Sequence, residues 1–313
     1  MAVYTKVEEE TLAQFLKNYN LGKTHSIKGI VKGVENTNYL LKSDSGKFIL
    51  TLYEKRVNED DLPFFIGLME HLSQNGFSCP TPIRNRKGMV LGKLEKKTAA
   101  IMSFVEGIEV KRPKEGHCYS AGQTMARLHL AAANFQMRRT NSFDLKRLEL
   151  IMATRDQMSS VEESLQELID DELKYLQKNW PKSIPSGVIH ADMFKDNTLF
   201  LNGKISGVID FYFACNDFLA YDVAIALNSW CFDNNFRFLP GLSNSFISGY
   251  NTIRPMTVQE IQSLPILVRG AALRFLLTRL RDWLDVQKDR LVVLHNPEAF
   301  ISRLIFWRQS HLI

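Results

Sequence analysis

His190-Ala191-Asp192-Met193-Phe194-Lys195-Asp196-Asn197-Thr198-Leu199-Phe200-Leu201-Asn202-Gly203-Lys204-Ile205-Ser206-Gly207-Val208-Ile209-Asp210-Phe211 is a hairpin with acidic and amide groups gathered at one end. Residues 198–201 and 204–209 read as strands. Asn202-Gly203 between them suits a two-residue turn, because both turn positions require a positive φ. With Leu201 opposite Lys204, Asn197 and Asp210 return to the same end. An amide oxygen and a carboxylate meeting there suit Mg²⁺, which takes oxygen ligands, few of them from protein and the rest from water and substrate phosphates. Asp192, in the loop just upstream, can point into the same space and accept a proton from an alcohol. His190 is either part of this equipment or a core histidine.

The order His-x-Asp, four residues, Asn and then a later Asp is that of the catalytic loop and metal-binding aspartate of protein kinases. Phe211-Tyr212 follows Asp210 where those enzymes carry Phe-Gly. The departure points to their small-molecule relatives, and the segment resembles the aminoglycoside phosphotransferase superfamily. That resemblance implies an α+β, bilobal protein-kinase-like fold. A β-rich N-lobe over residues 1–104 would bind nucleotide. A mostly helical C-lobe over residues 105–313 would carry the catalytic loop, metal site and acceptor pocket. ATP would lie between them, its adenine against the connector at Ser103 to Gly107, beside Phe104.

Composition agrees with an ordinary globular chain. Of 313 residues, 45% are hydrophobic and 23% charged, enough for two lobes. The formal charge of +5 is small and dispersed. Lys93 to Lys97 and Arg138-Arg139 read as solvated faces, not a nucleic-acid footprint. Cys79, Cys118, Cys215 and Cys231 form no Cys-x-x-Cys or zinc spacing, so buried free thiols are expected. The N-terminus has no signal core, and no apolar run approaches the ~20 residues that cross a bilayer. A cytoplasmic location without membrane attachment is expected; oligomeric state is not legible.

Outward from the hairpin, residues 7–19 read as an amphipathic helix and 26–32, 38–42, 47–53 and 98–104 as strands. Residues 62–74 read as a helix with Asp60 or Asp61 as its cap and Pro63 in its first turn. Beyond Gly107 the pattern is helical: 116–134, 161–179, 217–232, 242–252, 258–288 (interrupted near Pro265) and 297–307.

The nucleotide side is less explicit. The loop from Gly29 through Gly33 to Tyr39 lacks Gly-x-Gly-x-x-Gly. Asn36, Thr37 and Asn38 either offer donors to phosphate or simply shape a turn. Thr51 stands where the superfamily places a strand lysine, so Lys42 or Lys32 supplies the charge or the site does without it. Glu70 is a candidate helix acid or an exposed surface residue.

The wider neighbourhood narrows the resemblance. Gly33 to Tyr39, Ile49 to Glu54, Asp61 to Phe65, His190 to Asn197, Gly207 to Cys215, Tyr221 to Ile225, Asn228 to Cys231 and Leu273 to Phe275 look like the homoserine kinases built on this fold. Thr51 in place of Lys is shared with them; Met193 and Leu294-His295-Asn296-Pro297 depart from their pattern. The resemblance implies ATP-dependent phosphorylation of the L-homoserine hydroxyl, a step towards threonine, with ATP and Mg²⁺. Asp192 would take or orient the hydroxyl proton, and Lys195 would neutralise the transferring group unless it is a surface residue. Arg274, Arg279 and Arg281 are candidates for the substrate carboxylate, or pair with structural acids. Asp222, Asn228 and Trp230 either line the acceptor pocket or brace the loop and core. The rivals are another alcohol acceptor (choline, methylthioribose, hydroxylysine or an aminoglycoside) and an inactive nucleotide-binding module.

Overall fold

In the computed structural model, residues 5–30, 36–54, 57–153, 162–284 and 296–310 are described. The N-terminal part is an antiparallel sheet of β1 (Thr24–Gly29), β2 (Thr37–Ser43), β3 (Gly46–Leu52), β4 (Gly92–Leu94) and β5 (Lys97–Ser103), in the order β1-β2-β3-β5-β4. Strand alternation divides its side chains between two layers. Phe48, Leu50 and Leu52 of β3 pack with Ile101 against Leu12 and Phe15 of α1 (Glu9–Leu16). Ala100 and Met102 of β5 face the other way, into the core formed with α2 (Leu62–Gln74).

That second core runs on without a break into the helical part. It contains α3 (Glu115–Ala131), α4 (Leu145–Ala153), α5 (Glu163–Asn179), α6 (Leu219–Trp230), α7 (Pro240–Asn251), α8 (Val258–Leu284) and α9 (Glu298–Gln309). Two small sheets lie among them: β6 (Ser186–Ile189) with β9 (Cys215–Phe218), and the hairpin β7 (Thr198–Leu201) with β8 (Lys204–Val208). Every residue of α6 is buried, so it is the central helix of this half. α3 and α7 approach closely at glycines. A Cβ on Gly122 would sit 2.1 Å from the Phe246 carbonyl oxygen, and one on Gly249 2.1 Å from that of Tyr119. All four cysteines are buried and free, as expected.

Three local expectations are corrected. Asp61 is the N-cap residue of α2, but its side chain makes no capping hydrogen bond. Asn58 caps a preceding 3-10 turn by accepting from the Asp60 N–H at 3.2 Å, and Asp61 accepts from Arg139 Nε at 2.7 Å. Arg139 is therefore not a solvated residue. It also donates to the Ala214 carbonyl and lies 4.9 Å from the Phe65 ring centroid, tying the N-terminal α2 to the segment after the hairpin. Finally, α8 continues through Pro265. The carbonyl that loses its donor there belongs to Ile261, an exposed residue, where water can replace it. By length and composition α8 would span a membrane, but here Leu264, Leu267, Leu273, Leu276 and Leu277 are buried in the core.

Candidate active site

The hairpin forms as its turn residues require. Asn202 and Gly203 have φ of 51° and 78°, Leu201 pairs with Lys204, and Thr198 with Val208. The register slips between Leu199 and Phe200, leaving Ser206 bulged. Ile209 N–H donates to the Asn197 carbonyl at 2.9 Å, so Asn197 and Asp210 do share one end of the hairpin.

Asp192 joins them. The Asn197 amide Nδ2 donates to the Asp192 carbonyl oxygen and to its Oδ2, both at 2.9 Å. With the nitrogen committed, the Asn197 amide oxygen is the end that can meet a cation. Burial, then the neighbouring Asp210 charge, push the Asp192 carboxyl well above the usual carboxylate range; Arg274 and the Asn197 hydrogen bond act the other way. Two carboxylates and an amide oxygen around one space suit a hard divalent cation, which would also relieve their mutual repulsion. Among the described residues no group of three or more His, Cys, Asp or Glu converges as a metal cage. A cation held here would draw most of its ligands from elsewhere, as Mg²⁺ does from nucleotide phosphates and water.

The loop is under strain. Ala191 and Asp210 adopt φ of 61° and 68°, left-handed values that are uncommon outside glycine. α6 holds it in place like a splint. Asp222, expected as a possible pocket residue, is buried and accepts from the consecutive N–H groups of His190 and Ala191 at 2.9 and 2.8 Å. Ser229 Oγ accepts from Lys195 N–H at 3.3 Å, and Trp230 Nε1 donates to the Met193 carbonyl at 3.0 Å. Asn228 is equally structural: its Nδ2 donates to the Ala224 and Val268 carbonyls and its Oδ1 accepts from Trp307 Nε1. Asp222, Asn228 and Trp230 thus brace the loop and core and do not line an acceptor pocket.

His190 is corrected in the same sense. It is fully buried, and burial pushes its imidazole down to about 4, leaving it neutral. Its Nδ1 accepts from the Asp192 N–H at 3.2 Å, and its Nε2 lies 3.1 Å from the Ile209 carbonyl, to which it donates. It positions Asp192 against the residue preceding Asp210. His129, which the sequence did not single out, extends the brace outward. Its Nε2 is 3.0 Å from Asp222 and its Nδ1 2.8 Å from Tyr250 Oη, which in turn accepts from Arg254.

On the nucleotide side the side-chain oxygens of the candidates are engaged within the sheet. Asn36 Oδ1 accepts from the Glu54 N–H, Thr37 Oγ1 donates to Glu54, and Asn38 Oδ1 accepts from Thr51 Oγ1 at 2.8 Å. The position of the superfamily lysine is therefore a neutral hydrogen bond. Lys42 does not replace it: it is exposed and lies four residues along β2 from Asn38, roughly 13 Å away at strand spacing. Lys32, Gly33 and the rest of residues 31–35 lie outside the described residues. Glu70 is taken by Arg84, 2.6 Å away. Phe104 sits at the connector with Lys47 Nζ 5.5 Å from its ring centroid.

A cleft of about 510 Å³ opens beside the catalytic loop, lined in part by Lys195, Asp196, Ser229, Arg279 and Arg303. Lys195 is half-buried, and burial lowers its ammonium, with the Arg303 charge acting the same way. Of the predicted arginines only Arg279 reaches this cleft. Arg281 is partly exposed and pairs with Asp282 at 3.5 Å. Arg274 is 2% exposed, sealed by the rings of Phe143, Phe213 and Phe275. Arg303 was missed. Its signal was a charge inside the apolar stripe Phe300, Leu304 and Trp307 of α9.

The match to known proteins covers the whole arrangement. The model of the phosphotransferase enzyme family matches residues 26–256. The homoserine kinase of Methylobacterium radiotolerans is 49% identical over 311 residues, covering 99% of this chain and 97% of that one. That of Brucella anthropi is 47% identical over 310 residues, covering 99% and 95%. The chain belongs to the homoserine kinases of the phosphotransferase enzyme family. An amicoumacin kinase shares the kinase-like fold of this family, with a TM-score of 0.72 at 14% identity over 96% of this chain and 92% of that one. The homoserine kinase resemblance seen in the sequence is thereby confirmed, and so is the mixed α+β architecture.

Proposed function

We propose that the protein transfers the γ-phosphoryl group of ATP to the side-chain hydroxyl of L-homoserine, giving O-phospho-L-homoserine and ADP, as a cytoplasmic step of threonine synthesis. The observation that carries the chemistry is Asp192 held between Asn197 and the charge of Asp210 at the end of one hairpin. The acceptor is taken from the full-length relatives named above. Residues 1–104 would bind the nucleotide, with its adenine against Phe104, and residues 105–313 would carry the chemistry and the acceptor.

Asn197 and Asp210 would hold Mg²⁺, which when bound neutralises charge on the transferring phosphates. Asp192 orients the acceptor hydroxyl and takes its proton, a task for which a carboxyl raised above its ordinary range is suited. Lys195, at the mouth of the same cleft, places a positive charge by the transferring group. Asp222, Ser229 and Trp230 hold the loop so that these groups need not reorganise during the reaction.

A screen of ATP consumption with homoserine, choline, methylthioribose and hydroxylysine tests the acceptor. Homoserine should give the highest kcat/KM, and a clear preference for another alcohol would reject this reading. The metal assignment has its own test. Asp210→Asn should raise the Mg²⁺ concentration for half-maximal activity by roughly tenfold or more, and by more than Asn197→Ala does. A carboxylate offers a hard cation a full charge, an amide only a dipole. An unchanged Mg²⁺ titration in Asp210→Asn would remove this residue from the site.

A further inference from the structure

Two partly buried arginines of the C-terminal half each meet a fully buried acid. Arg254 pairs with Glu260 at 2.9 Å and Arg269 with Glu172 at 2.6 Å. Among the described residues Arg274, sealed under Phe143, Phe213 and Phe275, meets none, and neither do Arg279 and Arg303, which unlike Arg274 face the cleft. Arg279 and Arg303 come from different helices, α8 and α9, and converge on the ring of Phe300, at 4.4 and 4.5 Å from its centroid. Among the described residues neither forms an ion pair within 4.0 Å. Arg303 is 9% exposed, and its buried Nε has no hydrogen-bond partner. Both line the cleft beside the catalytic loop.

Two desolvated cations side by side, with no acid in ion-pair contact although Glu109 and Asp196 line the same cleft, are costly to keep. Burial lowers both guanidiniums to about 10, with the Arg279 charge contributing at Arg303. Apolar residues at both positions would remove that cost, so the pair calls for a ligand. A guanidinium fork matches the two oxygens of a carboxylate or a phosphate oxyanion. Position favours a carboxylate on the acceptor, because the phosphoryl group must lie on the Asn197–Asp210 side of Asp192. The charges of Asp192 and Asp196 act on Arg279, and Phe194, Lys195 and Asp196 of the catalytic loop line the same cleft, so an acceptor held there lies beside the Asp192 loop.

We propose that Arg279 and Arg303 form a clamp for the α-carboxylate of an amino-acid acceptor and thereby set acceptor specificity. The proposal rests on the reading of the acceptor as homoserine and adds the residues that recognise it. Asp196, on the same wall, presents its carboxylate to the α-ammonium group. Choline carries no carboxylate for the two guanidiniums, so the clamp favours homoserine over it.

The test compares L-homoserine with homoserinol, which lacks only the carboxylate, at saturating ATP and Mg²⁺. Wild type should prefer homoserine. Arg279→Met and Arg303→Met should each lower the homoserine-to-homoserinol ratio of kcat/KM by roughly 10- to 100-fold, the worth of a charge-assisted hydrogen bond. The loss should lie mainly in KM, and Arg303→Lys should recover part of it by restoring the charge. Met variants that melt cooperatively and keep the wild-type ratio would overturn the clamp. So would a wild type that uses the two alcohols equally well, a measurement that needs no variant to fold. A wild type that phosphorylates neither alcohol would instead reject the homoserine reading itself.

Discussion

Replacing Asp192 by asparagine is expected to cut kcat by roughly 10²- to 10⁴-fold, the range for a positioned acid–base group. The change is nearly isosteric, and the new amide oxygen can still accept from Asn197 Nδ2, which bonds Asp192 Oδ2 at 2.9 Å. The variant should therefore fold with the loop in place. Its stability should move the other way from its activity. The Asp192 carboxyl is raised by burial and by Asp210, so the folded protein binds its proton more tightly than the unfolded chain. Such a group lowers stability as pH rises through the window above the unfolded carboxylate value. Asparagine removes that charge, so Asp192→Asn without metal should melt at or above the wild-type temperature near neutral pH. Single-turnover kinetics and thermal melts check both halves. Near wild-type turnover at saturating substrates would remove Asp192 from the chemistry; a strongly lowered melting temperature would make its role structural.

Asp222→Ala is expected to cost about 3–5 kcal/mol of folding stability, because it leaves three buried donors unsatisfied at roughly 1–3 kcal/mol each. Deletion orphans the N–H groups of His190 and Ala191, as well as His129 Nε2. It also releases the left-handed backbone at Ala191, so activity should fall without any contact to substrate. The pH dependence has a definite sign. Burial raises the Asp222 carboxyl, but hydrogen bonds from His129 and from the His190 backbone outweigh it and hold it below the ordinary value. Its contribution is then complete above the unfolded carboxylate pKa, near 3.9. It is lost as pH falls through the lower folded value. Urea melts of wild type and Asp222→Ala should converge only in that acid window. A difference below about 1 kcal/mol at pH 7 would show that the loop is held by other contacts.

The hairpin was the most legible part of the chain, because its constraints are local. Asn202-Gly203 prefers one turn geometry, and the turn sets the register that brings Asn197 and Asp210 together. Helix α2 was legible at both ends from its apolar spacing. The lack of a capping hydrogen bond from Asp61 was not, since its carboxylate has a better partner in Arg139, 78 residues away in sequence. The four-residue pairing of β6 with β9 and the short β4 went unseen for the same reason: short strands carry little periodicity, and their partners are distant.

From sequence alone came the carboxylates at the hairpin and the kinase-like reaction class, read from the spacing of one short segment, and the family, read from a resemblance that runs over nearly the whole chain. Tertiary structure alone decided which polar residues brace and which remain available to a ligand. Asp222, Asn228 and Trp230 stand near Asp210 in sequence, yet the turn of α6 spends their hydrogen bonds on the catalytic loop and on neighbouring helices. Arg274, Arg279 and Arg281 share one helix, yet packing seals the first under Phe143 and Phe213, leaves the last partly exposed and sets the second beside Arg303 of α9. No spacing rule encodes that outcome, because whether a charge is paired depends on the helix that packs against it.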